Sequence, residues 1–314
     1  MATKKAKKPV AKSAKTAKPV AKGETTVNIT EVNETVIIAS PAKESGTCEP
    51  KGALCGFFKK KHEDEDILTI FRSPRIIGAI LGEIIGTMLL SIAVLAMGFE
   101  PIYLVFVFLF VTLVVYPISG AHLNPIVSLG AMVTRRISAI RGIFYIIAQL
   151  IGAMLGWLIV QWLIGMATSD ASSTEITATT IKAITDNDSL TGSASNLGGL
   201  IAVEAIGAVI YGFAFARAFK FKKSAFTFAA VVATGVFTAL LIGLFVSYQF
   251  FGVQGTFAFN PALAVALEAF MAQDTIVWKA LITYALVPLV AGVVGFILAD
   301  LTAALAGESC DCEK

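Results

Sequence analysis

The chain has 314 residues, of which 56% are hydrophobic and 15% are charged, and its formal net charge is +3. This composition is far more apolar than that of a soluble globular domain, and it predicts a membrane protein with several spans. The small net charge, carried mainly near the N-terminus, gives no reason to expect a nucleic-acid partner.

Residues 1–66 form the first predicted segment, and they are rich in Lys, Ala, Thr and Pro. This composition predicts a disordered basic arm, because it offers too little apolar surface for a core. The arm has no apolar stretch typical of a secretory signal, so we expect the first span to direct insertion. A solvated tail is the preferred interpretation, and an electrostatic contact with anionic lipid is the alternative.

Six long apolar segments follow the arm, and each is long enough to cross a bilayer. The predicted spans cover about residues 76–98, 102–118, 143–167, 197–219, 225–250 and 276–304.

Lys and Arg cluster before the first span, at residues 135–141 and between the fourth and fifth spans. The positive-inside rule therefore predicts that both termini are cytoplasmic. The polar stretch 168–196, which contains a sequon at Asn187, is then expected outside the cell, and residues 305–314 form a cytoplasmic tail.

Four cysteines lie outside the predicted spans, namely Cys48, Cys55, Cys310 and Cys312. Free thiols are the preferred interpretation, because the sequence has neither the histidines nor the repeated Cys-x-x-Cys spacing of a structural metal site. We expect no metal and no cofactor.

Two short motifs follow apolar spans: Asn124-Pro125-Ile126 after the second span and Asn260-Pro261-Ala262 after the fifth. Asn caps a helix and Pro suits its first turn, so each motif predicts a short helix, the first from Pro125 toward Met132. Irregular backbone at membrane depth survives only when buried in protein or lining a wet cavity. Two such half-helices predict a pore protein built as an inverted repeat, with halves at about 76–167 and 197–304.

The stretch Ser119 to Pro125, together with Asn260-Pro261-Ala262, resembles the aquaporin and aquaglyceroporin family, the major intrinsic proteins. The resemblance covers about residues 76–304. It extends to Gly82–Thr87, Gln149–Ala153, Glu204, Pro288 and Gly292.

This resemblance implies an all-α membrane fold of six transmembrane helices and two re-entrant half-helices within a channel domain at residues 67–304. It implies a passive channel, not an enzyme, for water or small uncharged solutes such as glycerol. A homotetramer with one pore per subunit, set in the lipid bilayer of the plasma membrane, is the implied assembly.

The resemblance also implies roles for polar residues at membrane depth. Asn124 and Asn260 would offer carboxamide N–H groups to the permeant. Glu83 and Glu204 would accept hydrogen bonds from backbone N–H groups of the re-entrant loops, with His122 and Gln149 as supporting residues. The alternative role for the two carboxylates is proton coupling in a small-solute carrier, since an ionisable group inside a membrane is a functional hypothesis by default.

Two positions depart from the family pattern. Ile126 stands where the family has Ala, and it is expected to narrow or reshape the pore midpoint. Leu263 stands where the family usually has an Arg that forms part of the outer constriction.

The other predicted constriction positions are Leu104, Phe257 and either Ile242 or Gly243, with Tyr248 open as an alternative. These choices, Tyr248 excepted, predict an apolar constriction. A closed, channel-like protein with a structural or adhesion role is therefore a further alternative.

Overall fold

The computed structural model describes residues 72–97, 100–167, 197–251, 258–267 and 277–307, and these residues are almost entirely helical. The helices before residue 168 are α1 (Pro74–Met97), α2 (Pro101–Ser119), α3 (Pro125–Val133) and α4 (Ala139–Ala167). Those after residue 196 are α5 (Leu197–Ala218), α6 (Ala225–Val246), α7 (Pro261–Ala266), α8 (Val277–Leu281) and α9 (Val287–Leu305). The arm at 1–66, the cysteines, Asn187 and Phe257 lie outside the described residues.

Six helical segments in the described part of the chain are long and apolar enough to cross a membrane, which confirms the predicted spans. Their outward faces carry large apolar side chains: Phe106 and Trp162 are each 63% exposed. Such surfaces suit contact with lipid tails. The short α3 and α7 confirm the two helices predicted from the Asn-Pro motifs.

Glycines let the long helices approach closely in two equivalent pairs. A Cβ on Gly152 of α4 would lie 2.3 Å from the carbonyl oxygen of Ile84 on α1. A Cβ on Gly212 of α5 would likewise lie 2.3 Å from the carbonyl oxygen of Gly292 on α9. Small residues of this kind bring membrane helices into backbone contact. Each half therefore has a close glycine contact between its first and third long helices, as expected of a repeat.

A proline shapes the sixth span. Pro288 lacks an N–H group, so it cannot hydrogen-bond to the carbonyl one turn earlier. A π-helical turn at Ile282–Leu286 ends two residues before Pro288 and joins α8 to α9. The joined helix runs over Trp278–Leu305 and forms the sixth span.

Arg136, three residues after the end of α3, forms an ion pair with Asp300 in the C-terminal part of α9. Its Nη2 lies 2.6 Å from Asp300 Oδ1. Its guanidinium carbon lies 5.3 Å from the ring centre of Phe219 and 5.2 Å from that of Phe296. An ion pair and two cation–π contacts therefore hold the connection between α3 and α4 in place.

Candidate functional site

The N-termini of α3 and α7 are capped by Asn124 and Asn260, as their motifs predict. Asn124 Oδ1 accepts a hydrogen bond from the N–H of Ile126 at 2.9 Å. Asn260 Oδ1 accepts from the N–H groups of Ala262 at 3.0 Å and Leu263 at 3.4 Å. Both carboxamide oxygens are therefore engaged by the backbone of their own helix.

The two carboxamide nitrogens reach across to the opposite motif. Asn124 Nδ2 donates to the carbonyl oxygen of Phe259 at 2.8 Å, and Asn260 Nδ2 donates to that of Leu123 at 3.0 Å. Phe259 and Leu123 have positive φ angles of 42° and 53°, a left-handed conformation that is costly for side chains larger than glycine. This reciprocal pairing joins the ends of α3 and α7.

Glu83 on α1 holds the loop that precedes α3. Its Oε1 accepts from Ser119 Oγ at 2.6 Å and from the N–H of His122 at 2.9 Å. Its Oε2 accepts from the N–H of Leu123 at 2.7 Å and from Gln149 Nε2 at 2.8 Å. Four donors thus surround a carboxyl group that is fully buried.

Glu204 on α5 holds the second loop in the same manner. Its two oxygens accept from the backbone N–H groups of Ala258 at 2.8 Å and Phe259 at 3.1 Å. The hydrogen bonds expected of Glu83 and Glu204 are therefore both present.

A glycine three residues after each glutamate makes room for the left-handed residue. A Cβ on Gly86 would lie 2.4 Å from Leu123 Cδ2, and one on Gly207 would lie 2.2 Å from Phe259 Cε1. The glutamate, the glycine and the left-handed residue thus recur together in both halves.

His122 and Gln149 join the network around Glu83. His122 Nδ1 lies 3.2 Å from Ser128 Oγ, and Gln149 Nε2 donates to that same oxygen at 3.0 Å. Both side chains are buried. They connect the first loop to α3 and α4.

A cavity of about 20 Å³ opens beside the paired asparagines, and about 10–15 Å³ is enough to hold one water molecule. Among the described residues it is lined by nine apolar residues and by three with polar side chains, Asn124, Asn260 and Tyr211. The apolar residues are Val94, Leu104, Phe108, Val236, Ala239, Leu240, Ala258, Phe259 and Leu263.

Leu104 and Leu263, two of the predicted constriction residues, line this cavity. Neither of the residues predicted for the fifth span, Ile242 and Gly243, lines it, so their place in the constriction stays a prediction. Ile242 is 37% exposed on the surface of α6, and α6 presents Leu240 to the cavity instead.

The alternative position for the fifth span, Tyr248, is 64% exposed and does not line the cavity either. The sequence did not identify Leu240 as a lining residue because α6 has apolar side chains on all sides. Its pattern therefore does not distinguish the face that turns inward.

The expected effect of Ile126 on the pore midpoint stays a prediction. Its side chain is fully buried and is not among the residues lining the cavity. A Cβ on Gly292 would lie only 1.9 Å from Ile126 Cγ2, so the isoleucine fills the space above that glycine on α9. Pro125, Pro261 and Ala262 are buried at the helix starts and do not line the cavity.

We expect Gly292→Ala to destabilise the protein by about 1–3 kcal/mol, because the added methyl group overlaps Ile126 in a filled interior. Ile126→Ala in the same chain removes the overlapping atom and should restore most of the loss. Thermal unfolding in detergent of the two single variants and the double variant measures this coupling. Additive effects of the two substitutions would contradict the contact.

Tyr211 is the polar lining residue that the motif-based predictions missed. It lies seven residues after Glu204 on α5, which is almost two full helical turns and places it on the same face. That spacing is a signal from which its inward position could have been predicted.

Comparisons with known proteins agree with this architecture. A family model described as Major intrinsic protein matches residues 70–302, more than half of the chain. The solved structure titled as an X-ray structure of the aquaglyceroporin from Plasmodium falciparum is 23% identical and has a TM-score of 0.51, covering 73% of this chain and 95% of that one.

Shorter stretches are similar to curated proteins. Aquaporin-5 of Mus musculus is 47% identical over 47 residues, which cover 15% of this chain and 18% of that protein. The probable aquaporin TIP2-2 of Oryza sativa subsp. japonica is 47% identical over 51 residues, covering 16% of this chain and 21% of that protein. The matches span about a fifth of the length of these relatives.

Proposed function

We propose that this chain, which belongs to the major intrinsic protein family, forms a passive transmembrane channel for small uncharged molecules. The observation that carries the proposal is the reciprocal pairing of Asn124 and Asn260 at the edge of a cavity. Each amide nitrogen carries two hydrogens, of which one donates across the pair. The other is available to replace a water contact that a permeating molecule loses.

An apolar constriction at Leu104, Leu240 and Leu263 favours a solute such as glycerol over water. Water in an apolar passage loses hydrogen bonds and regains few, and this dewetting raises its barrier. A small polyol buries its carbon chain against the same surface and needs fewer polar partners for each unit of length. The proposed permeants are therefore small neutral molecules, with water crossing slowly.

The burial of Glu83 and Glu204 supports structural roles for both. Neither lines the cavity, and the oxygens of each accept hydrogen bonds from the loops. A carboxyl group that couples proton movement to solute movement needs access to the transport path. The positions of these two favour a channel over a proton-coupled carrier.

The proposed assembly is a homotetramer in the plasma membrane, with both termini in the cytoplasm. Six apolar helices make the chain a multi-pass membrane protein. The distribution of basic residues supports the proposed orientation.

Labelling with a membrane-impermeant maleimide tests the orientation. We expect Ser172→Cys to react in intact cells, because residues 168–196 are predicted to face outside. The native cysteines, predicted to lie in the cytoplasm, provide the internal control and should react only after permeabilisation. If Ser172→Cys reacted only after permeabilisation, residues 168–196 would face the cytoplasm and the proposed orientation would be wrong.

Proteoliposomes under a glycerol gradient test the proposed channel. We expect glycerol to move down its gradient in either direction. This flux should not saturate at low glycerol concentration, and an imposed pH difference should not change it. Uptake that requires a pH difference would favour the proton-coupled carrier. Permeability equal to that of protein-free vesicles would favour the closed, structural protein.

A further inference from the structure

Tyr211 lines the cavity beside the paired asparagines, and its side chain carries a hydroxyl group. Its side chain lines the cavity together with that of Asn124 and is 3% exposed. Its ring packs edge-on against Phe215, with ring centres 6.2 Å apart and an interplanar angle of 87°. The hydroxyl group is therefore held in a defined position.

The polar groups of the cavity are otherwise unbalanced between donors and acceptors. The oxygens of Asn124 and Asn260 are engaged by the N–H groups of α3 and α7, so the two side chains offer N–H donors to the cavity. A phenolic hydroxyl both donates and accepts. Tyr211 therefore adds accepting capacity that the two carboxamides lack.

We infer that Tyr211 is a specificity-determining residue, which binds hydroxyl-bearing solutes beside Asn124 and favours them over water. This inference rests on the proposed channel function. Each hydroxyl of a polyol both donates and accepts, so it needs a partner for each role when it leaves water. Tyr211 and the asparagine N–H groups supply both roles at one point of the passage.

The ring of Tyr211 also matches the carbon chain of a polyol. A tyrosine presents an apolar body and a polar tip. A solute with hydroxyl groups on one side and carbon on the other can contact both parts at once, together with the apolar walls at Leu104 and Leu240. Water has no apolar face and gains nothing from the ring.

Tyr211→Phe removes the hydroxyl and keeps the ring, so it tests the inference directly. Tyr103→Phe makes the same chemical change on the outward face of α2, where the side chain is exposed, and serves as the matched control. Water, glycerol and 1,3-propanediol permeabilities are measured in proteoliposomes for the parent and both variants. Once the permeability of protein-free vesicles has been subtracted, the ratio of two permeabilities in one preparation does not depend on the amount of folded protein.

We expect Tyr211→Phe to lower the glycerol-to-water ratio about fivefold, which corresponds to about 1 kcal/mol. The ratio for 1,3-propanediol, which has one hydroxyl fewer, should fall less, and Tyr103→Phe should change neither ratio. Unchanged ratios in Tyr211→Phe, with clear glycerol flux in the parent, would overturn this inference and leave the channel function standing. A parent without any flux above protein-free vesicles would overturn both.

Discussion

Glu83→Gln is expected to destabilise the protein by about 2–4 kcal/mol. The Glu83 carboxyl accepts four hydrogen bonds, two at each oxygen. In glutamine, an amide nitrogen replaces one of the two oxygens. That nitrogen is itself a hydrogen-bond donor, and it would face the donors from which the oxygen accepted. Gln149 or the Ser119 hydroxyl can rearrange, but the backbone N–H of either Leu123 or His122 is then left without an acceptor. A buried unpaired donor costs about 1–3 kcal/mol, and the lost hydrogen bonds add to that.

Glu204→Gln should cost less than Glu83→Gln, because Glu204 accepts two backbone hydrogen bonds. Glu100→Gln is the matched control, since Glu100 is exposed and makes no side-chain cap bond with α2. Thermal unfolding in detergent measures the loss of stability in each of the three variants and so gives their order. Glycerol flux per folded protein measures their function.

A Glu83→Gln protein as stable as its parent, but without a pH-driven uptake that the parent shows, would contradict the supporting role. That outcome would assign the carboxyl group to proton coupling instead.

Leu263→Arg is expected to raise the ratio of water to glycerol permeability about tenfold. Leu263 lines the cavity with an apolar side chain. A guanidinium group carries five N–H donors and a fixed charge, so it supplies partners to a column of water. The greater bulk of arginine narrows the space for a solute with a carbon chain, whereas a single file of water molecules can still pass and gains the donors of the guanidinium group.

Leu263→Met is the control for this substitution, because it keeps the wall apolar at similar volume. Its permeability ratio should match that of the parent. A ratio in Leu263→Arg equal to that of the parent, in protein that folds, would show that position 263 does not control selectivity.

Much of the fold was predictable because its signals are local. The six spans follow from the length of apolar runs, and α3 and α7 follow from Asn-Pro caps, both of which depend only on neighbours in sequence. The roles of Glu83 and Glu204 required the family resemblance, because their partners at His122 and Ala258 lie 39 and 54 residues away.

The cavity wall was predicted less well, since helix rotation depends on packing between helices. A helix that is apolar on every side gives no periodic signal for its inward face, so Leu240 was missed in favour of Ile242 and Gly243. The packing of Ile126 was not predictable from the sequence for a related reason. Its space comes from the absence of a side chain at Gly292, which is distant in sequence.

Water and glycerol permeabilities per pore, measured by stopped-flow light scattering on the same proteoliposomes of the unmutated protein, test the central claim most directly. A midpoint of paired asparagines beneath an apolar wall predicts glycerol permeability well above that of protein-free vesicles, together with low water permeability. Fast, strongly water-selective flux with no glycerol uptake would contradict it.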